Sequence, residues 1–208
     1  MGEVEERFPL FPLGLVMLPT EVVPLHIFEE RYKLMIEECL ESETEFGIVW
    51  MSDDGLKEVG CTARVAQLLE RMEDGRMNIL IQGDAAFRLL RKIEDLPYPA
   101  GDVELLDEQD DVEDEEPPTG SSARERYAEL VERVTDSRPS ESDLEELNAY
   151  GMAATLDFAL DAKQGLLELR SEGERMEHLI DLFEATIKRI DPAERAAERA
   201  RTNGKVRF

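Results

Sequence analysis

His26, His178, Cys39, Cys61 and the glycine-flanked run Gly55-Leu56-Lys57-Glu58-Val59-Gly60-Cys61-Thr62 are the parts of this sequence that come nearest to chemistry. A phosphate-binding loop needs a lysine just before its final hydroxyl residue, to reach the nucleotide phosphates, and Cys61 stands there instead. Gly60 therefore reads as the start of a strand. Zinc chemistry needs a second histidine or cysteine at ligand spacing, and neither histidine has one. His26, between Leu25 and Ile27, reads as a packed or edge histidine of a strand, and His178 falls on the polar side of a late helix. Two cysteines in a chain of this size read as small buried hydrophobes rather than a disulfide. The acidic pairs Asp53-Asp54 and Asp110-Asp111 match no calcium loop and read as solvated surface. Neither a Gly-x-Ser-x-Gly elbow nor a His-Glu-x-x-His helix occurs in the sequence. The expectation is a chain with no catalytic residue, no cofactor and no metal, and hence not an enzyme.

Composition narrows the partners. With 49 acidic side chains against 24 basic ones the formal charge is −25, which repels nucleic-acid phosphates and anionic membranes alike. The first residues are acidic where a secretory signal is basic, and Glu6 replaces the hydroxyl that a myristoylation motif requires. The longest apolar stretch, residues 8–28, is broken by Pro9, Pro12, Pro19, Pro24 and Glu21, which a membrane-spanning helix does not accept. A cytoplasmic location is expected.

The elements read as two halves. Prolines and β-branched residues over 8–25 favour short extended pieces, and Tyr32, Met35, Ile36, Cys39 and Leu40 place one apolar stripe on a helix over 29–42. Residues 46–51 and 59–69 read as strands, Asp74-Gly75 as a hairpin turn, and Met77, Ile79 and Ile81 as the inward positions of a half-buried strand. Further strands are predicted over 86–93 and 103–106. Residues 102–116 are rich in Asp and Glu without a basic side chain, and Pro117-Pro118-Thr119-Gly120 reads as the turn that closes an exposed linker. Helices are predicted over 123–135, 140–150, 152–160 and 163–169. A last one carries Met176, Leu179, Ile180, Phe183, Ile187 and Ile190, started by a capping pattern of Ser171 and Glu174 and stopped at Asp191-Pro192. The expected organisation is a β-rich unit over 7–106, an acidic linker over 107–122, a helical bundle over 123–190 and a charged tail over 191–208.

The order of these pieces resembles the amino-terminal domain of Lon protease. Phe8-Pro9-Leu10-Phe11-Pro12-Leu13 is similar to that family's opening strand, and Leu18-Pro19 with Val22-Val23-Pro24-Leu25 to its second, proline-marked element. Val59-Gly60-Cys61-Thr62-Ala63-Arg64-Val65 resembles its Val-Gly-Thr strand start, and Ile79-Leu80-Ile81-Gln82-Gly83 with Phe87-Arg88 its apolar strand and continuation. Lys163-Gln164, Leu166-Leu167-Glu168 and Glu174-Arg175-Met176-Glu177 resemble its Lys-Gln helix and closing helix. The resemblance implies an α+β fold, a PUA-like β-barrel followed by a C-terminal helical bundle. It also implies a domain that engages polypeptide substrates. The ATPase and Ser-Lys peptidase that follow this domain in the protease have no counterpart before the chain stops at Phe208, so neither unfolding nor cleavage by that mechanism is expected.

Two function classes follow. The first is a polypeptide-binding module, an adaptor or chaperone-like factor in protein quality control, with unfolded or misfolded polypeptides as clients and a separate protease or chaperone as a partner. Its site needs an exposed apolar groove. Glu30 and Arg31 at the helix start and the adaptable thioethers Met17, Met51, Met72 and Met77 are the candidates for it, whereas Met35 and Met176 read as core. The second is a PUA-like RNA or modified-nucleobase binder, which the acidic balance and the absence of a basic stripe disfavour.

Overall fold

The computed structural model describes residues 2–108 and 118–203, with the backbone alone at 118 and over 191–203. Seven strands occur among them: β1 (Val4–Leu13), β2 (Val22–Ile27), β3 (Phe46–Ser52), β4 (Gly55–Leu56), β5 (Val59–Arg71), β6 (Met77–Ile93) and β7 (Ala100–Leu105). Helix α1 (Glu30–Ser42) lies between β2 and β3 in sequence, and α2 (Pro118–Thr135), α3 (Glu141–Glu145), α4 (Ala149–Ala154), α5 (Leu160–Glu168) and α6 (Glu172–Asn203) follow β7. Contacts divide the chain into two units, Met1–Asp110 with Tyr150–Ser171, and Asp111–Ala149 with Glu172–Phe208.

In the first unit the strand pairings return to their starting point. β1 pairs β7, β7 pairs β6, β6 pairs β5 and β5 pairs β3, all antiparallel, and β3 then runs parallel to β1 from Leu10↔Gly47 to Leu13↔Trp50. A ring of pairings satisfies the ladder donors on both sides of each strand in it. Its interior is apolar because the inward residues are: Phe8, Leu10, Val49, Phe87 and Val103 form one buried cluster, with Phe8 and Phe87 edge to face at 6.0 Å. Gly60 and Gly47 make room for the Phe87 ring. A Cβ on Gly60 would lie 2.6 Å from Phe87 Cζ and 2.5 Å from the Ile48 carbonyl oxygen, so the Val-Gly-Thr-like start of β5 is a packing requirement.

Helix α1 meets β1 where Phe11 stacks on Tyr32 at 4.0 Å, and it also packs on β5. It ends at Glu43 in the left-handed region, φ 53°, whose N–H donates to the Cys39 carbonyl. Met35 is fully buried, as its place on the apolar stripe predicts. Cys39 and Cys61 are both free and buried, and burial pushes the Cys61 thiol far above its ordinary value.

Helix α5 belongs to this unit as well. Lys163 Nζ reaches the Glu21 carboxylate at 2.6 and 2.8 Å, and Gln164 Nε2 donates to the Val59 carbonyl at 3.1 Å. The bundle expected over 123–190 is therefore interrupted, because the Lys-Gln pair supplies the polar partners that β5 and the β1–β2 connection need. In the second unit α2 packs on α6 through Tyr127 and Phe183, whose rings are 5.8 Å apart, and Met176 is buried. Ser140 caps α3 with a reciprocal Asp143 bond.

Three expectations are corrected here. Pro118-Thr119-Gly120 opens α2 instead of forming a turn, which suits a proline, since a missing N–H costs nothing in the first helical turn. Helix α6 runs through Asp191-Pro192 to Asn203. The strands read over 77–82 and 86–93 are one strand, β6, bent by register shifts against β5 and β7. Most of the acidic linker, residues 109–117, and the last tail residues, 204–208, lie outside the described residues.

Candidate functional site

β2 is an edge strand: among the described residues it pairs only with β6, in register from Val22↔Gln82 to Ile27↔Met77. Its alternation turns Val22, Pro24 and His26 outward and Ile27 into the core. Pro24 suits an edge, where a missing ladder donor is tolerated. On the far side of β6 the end of β5 forms the other wall. The ladder goes from Leu68↔Ile79 to Glu70↔Asn78, so Leu69 is an inserted bulge residue without a Cα partner in that ladder. A strand that bulges twists away from its neighbours, and residues 66–71 are all exposed.

Between these walls lies a recess of about 630 Å³ lined by Pro24, Leu25, His26, Leu69, Glu70, Asn78 and Ile79. A polar ladder crosses it. His26 Nδ1 lies 2.7 Å from Asn78 Oδ1, an oxygen that can only accept, and Asn78 Nδ2 donates to Glu70 at 2.9 Å. Three apolar side chains stand exposed around the recess: Phe28 is 60% exposed, Val22 53% and Leu69 50%. Phe28 stacks beside His26 with ring centroids 5.9 Å apart. The hairpin that follows β5 is tied to α1, because Lys33 Nζ donates to the Asp74 carbonyl at 2.9 Å and Arg71 pairs with Glu37 at 2.7 Å.

The sequence candidates divide. Met17 and Met77 are 1% and 0% exposed, so the structure corrects their assignment to a groove: both fill the core, Met77 as the inward partner of Ile27. Met51 is exposed near the β3–β4 turn, and Met72 is half-buried at the base of the β5–β6 hairpin, where its N–H meets the Arg76 carbonyl. Glu30 and Arg31 are exposed at the start of α1, Glu30 paired with Lys33 and Arg31 with Glu29. None of the four lines the recess beside β2. Sequence reasoning missed Phe28, Leu68 and Leu69. The adjacent leucines were the available signal, since they break the alternation of a half-buried strand. Among the described residues no group of three or more His, Cys, Asp and Glu is arranged to hold a metal, and no helix is long and apolar enough to cross a membrane.

A ring of strands with an appended edge strand, a covering helix and helices after the last strand defines a recognisable architecture. Residues 7–185 match the family described as the ATP-dependent protease La (LON) substrate-binding domain, and the chain belongs to that family. It is 22% identical to Lon protease 1 of Hydrogenovibrio crunogenus, over 97% of this chain and 27% of the relative. It is 26% identical to Lon protease of Anaeromyxobacter dehalogenans, over 87% of this chain and 23% of the relative. The chain thus spans about a quarter of the length of the curated relatives it matches. Its fold is that of the Lon N-terminal domain protein from Xanthomonas campestris, with a TM-score of 0.65 and 24% identity over 84% of this chain and 96% of that one. The N-terminal domain of Mycobacterium avium complex Lon protease is also similar, with a TM-score of 0.59 and 20% identity over 88% of this chain and 98% of that one.

Proposed function

We propose that this chain is a non-catalytic polypeptide-binding module, built on a PUA-like barrel, that holds extended apolar segments of unfolded or misfolded proteins in the groove between β2 and the end of β5. The observation that carries this reading is the group of outward Val22, Phe28, Leu68 and Leu69 on a chain whose formal charge is −25. Apolar side chains that gather in one exposed patch beside a recess mark a binding surface. The groove suits clients of varied sequence, since exposed apolar side chains flank a floor whose His26, Asn78 and Glu70 bond to one another. Membership of a substrate-binding family supports the same reading. The role in the cytoplasm is that of an adaptor or chaperone-like factor, with a separate protease or chaperone receiving the client. Met72, Met51 and Glu30, which do not line the recess, serve as outlying contacts of a longer client.

Titrating a labelled, reduced and carboxymethylated polypeptide at low and high salt tests the proposal. The Debye length falls from about 10 Å at 0.1 M salt to about 3 Å at 1 M, so the acidic surface is screened while apolar burial persists. Affinity is expected to hold or rise slightly with salt. The double variant Phe28→Ser and Leu69→Asp is expected to bind about ten-fold more weakly, the equivalent of about 1.4 kcal/mol. Binding that vanishes at high salt, or a double variant that binds like the parent, would remove the groove from consideration.

A further inference from the structure

A second recess, of about 320 Å³, opens on the ring below the end of β6, away from the residues that line the β2 groove. Its floor is apolar, made by Leu10, Leu56, Ile93 and Leu96. Its lip is the segment 97–99, and the lip is fixed at two points. The Leu10 N–H donates to the Pro99 carbonyl at 2.8 Å, and the Tyr98 hydroxyl donates to the Glu38 carboxylate. This volume lies in the range of preformed ligand sites, and the walls do not need to be built on binding.

Arg31, Lys92 and Glu94 line it, and the Arg31 charge is already balanced by Glu29, which leaves the Lys92 ammonium as the cation without a counter-charge in contact. Arg31 is held in place, with its guanidinium 4.5 Å above the Tyr32 ring and its Nε and Nη2 on the Glu29 carboxylate at 3.0 and 2.8 Å. Its Nη1 remains to donate. The Lys92 side chain has no ion-pair or hydrogen-bond partner among the described residues. The floor therefore selects an apolar group and the rim selects one carboxylate. A further recess, lined by Arg7, Arg91 and Asp95, shares Lys92, Ile93 and Glu94 with the first, so the two adjoin at these residues. A small acid fills only the first recess, whereas a chain that ends there leaves along the second.

We propose that the first recess, with its neighbour as the exit, binds the C-terminal end of a polypeptide, with an apolar last side chain on Leu10, Leu56, Ile93 and Leu96 and the terminal carboxylate on Lys92 and the free Nη1 of Arg31. The site is separate from the β2 groove and does not depend on it. It would allow the chain to distinguish a terminus from an internal segment.

The test is fluorescence anisotropy on the full chain with the peptide Ala-Ser-Ala-Phe-Leu, labelled at its N-terminus, as free acid and as C-terminal amide. The acid is expected to bind about ten-fold more tightly, as charge-assisted bonds to two cations predict. Lys92→Glu, at an exposed position, should lower the acid's affinity to that of the amide, and Lys92→Arg should retain the preference. Equal affinities for acid and amide overturn the proposal, as does a Lys92→Glu variant that keeps the preference. If 4-phenylbutyrate competes as well as the unlabelled peptide acid, the recess takes a small apolar acid and the assignment to a chain end fails. Loss of acid binding in Leu69→Asp would place the peptide in the β2 groove and also overturn it.

Discussion

The two halves of β6 run through opposite surroundings. Toward its C-terminal end Phe87 is sealed among Phe8, Leu10, Val49 and Val103, with Gly47 and Gly60 cut back to admit the ring. Toward its N-terminal end the same strand, flanked by β2 and the bulged end of β5, buries Met77, Ile79 and Ile81 on one side only and leaves exposed apolar walls on the other. One strand thus serves a region that excludes water and a region that displays apolar surface to it. Closure of the pairing ring makes the first rigid. The second departs from closure at the bulge and the edge, which frees its side chains to meet a partner.

Substitutions separate the two regions. Phe87→Ala should cost the most, about 3–5 kcal/mol of unfolding free energy, because it empties the centre of the ring; urea denaturation followed by circular dichroism measures it. Lys163→Ala removes the partner of a mostly buried Glu21 carboxylate and should cost about 1.5–3 kcal/mol in the same assay. Lys33→Ala should cost about 1 kcal/mol, and its signature is local: faster amide exchange at residues 72–77, where the lysine caps the hairpin, with the ring amides unchanged. If the ring amides exchange faster too, the hairpin and the ring are one cooperative body and the contrast between them fails.

Two smaller effects sharpen the comparison. Burial, with the Glu38 carboxylate beside it, pushes the Tyr98 phenol from 10.0 up to about 12. A group whose folded-state pKa is raised stabilises the fold fully below its unfolded value and loses that stabilisation as pH rises through the folded one. Stability should therefore decline between about pH 10 and pH 12, and Tyr98→Phe should flatten that decline in pH-dependent denaturation curves. Leu69→Asp should change stability by no more than about 0.5 kcal/mol, since the side chain already stands in water. A large loss on that substitution would mean that the bulge is part of the core.

Several features were legible in the sequence because they follow from local rules. The alternation of Met77, Ile79 and Ile81, the stripe of α1, the Asp74-Gly75 turn and the order of the Lon-like motifs all reappear in the structure. Gly75 takes the positive φ, 80°, that the hairpin reading requires. Met17 was not legible as core, because it lies in a proline-broken segment with no period to assign a face. The return of α5 to the first unit was hidden for a different reason: Lys163 and Gln164 look like surface residues until Glu21 and Val59, far away in sequence, are placed beside them. The exposed groove was missed because a bulge is a mismatch between two strands, and no single strand's pattern records it.

The bond from Lys163 to Glu21 spans 142 residues and that from Gln164 to Val59 spans 105. On a chain made from its N-terminus, β1 to β7 are complete long before α5 exists. Until then the Glu21 carboxylate lacks the ammonium, and the Val59 carbonyl the amide, that partner them in the finished fold. The last contacts of the first unit thus form only after residues 163 and 164 have been synthesised, and a nascent chain paused before residue 163 would carry a ring of strands still waiting for its final polar partners.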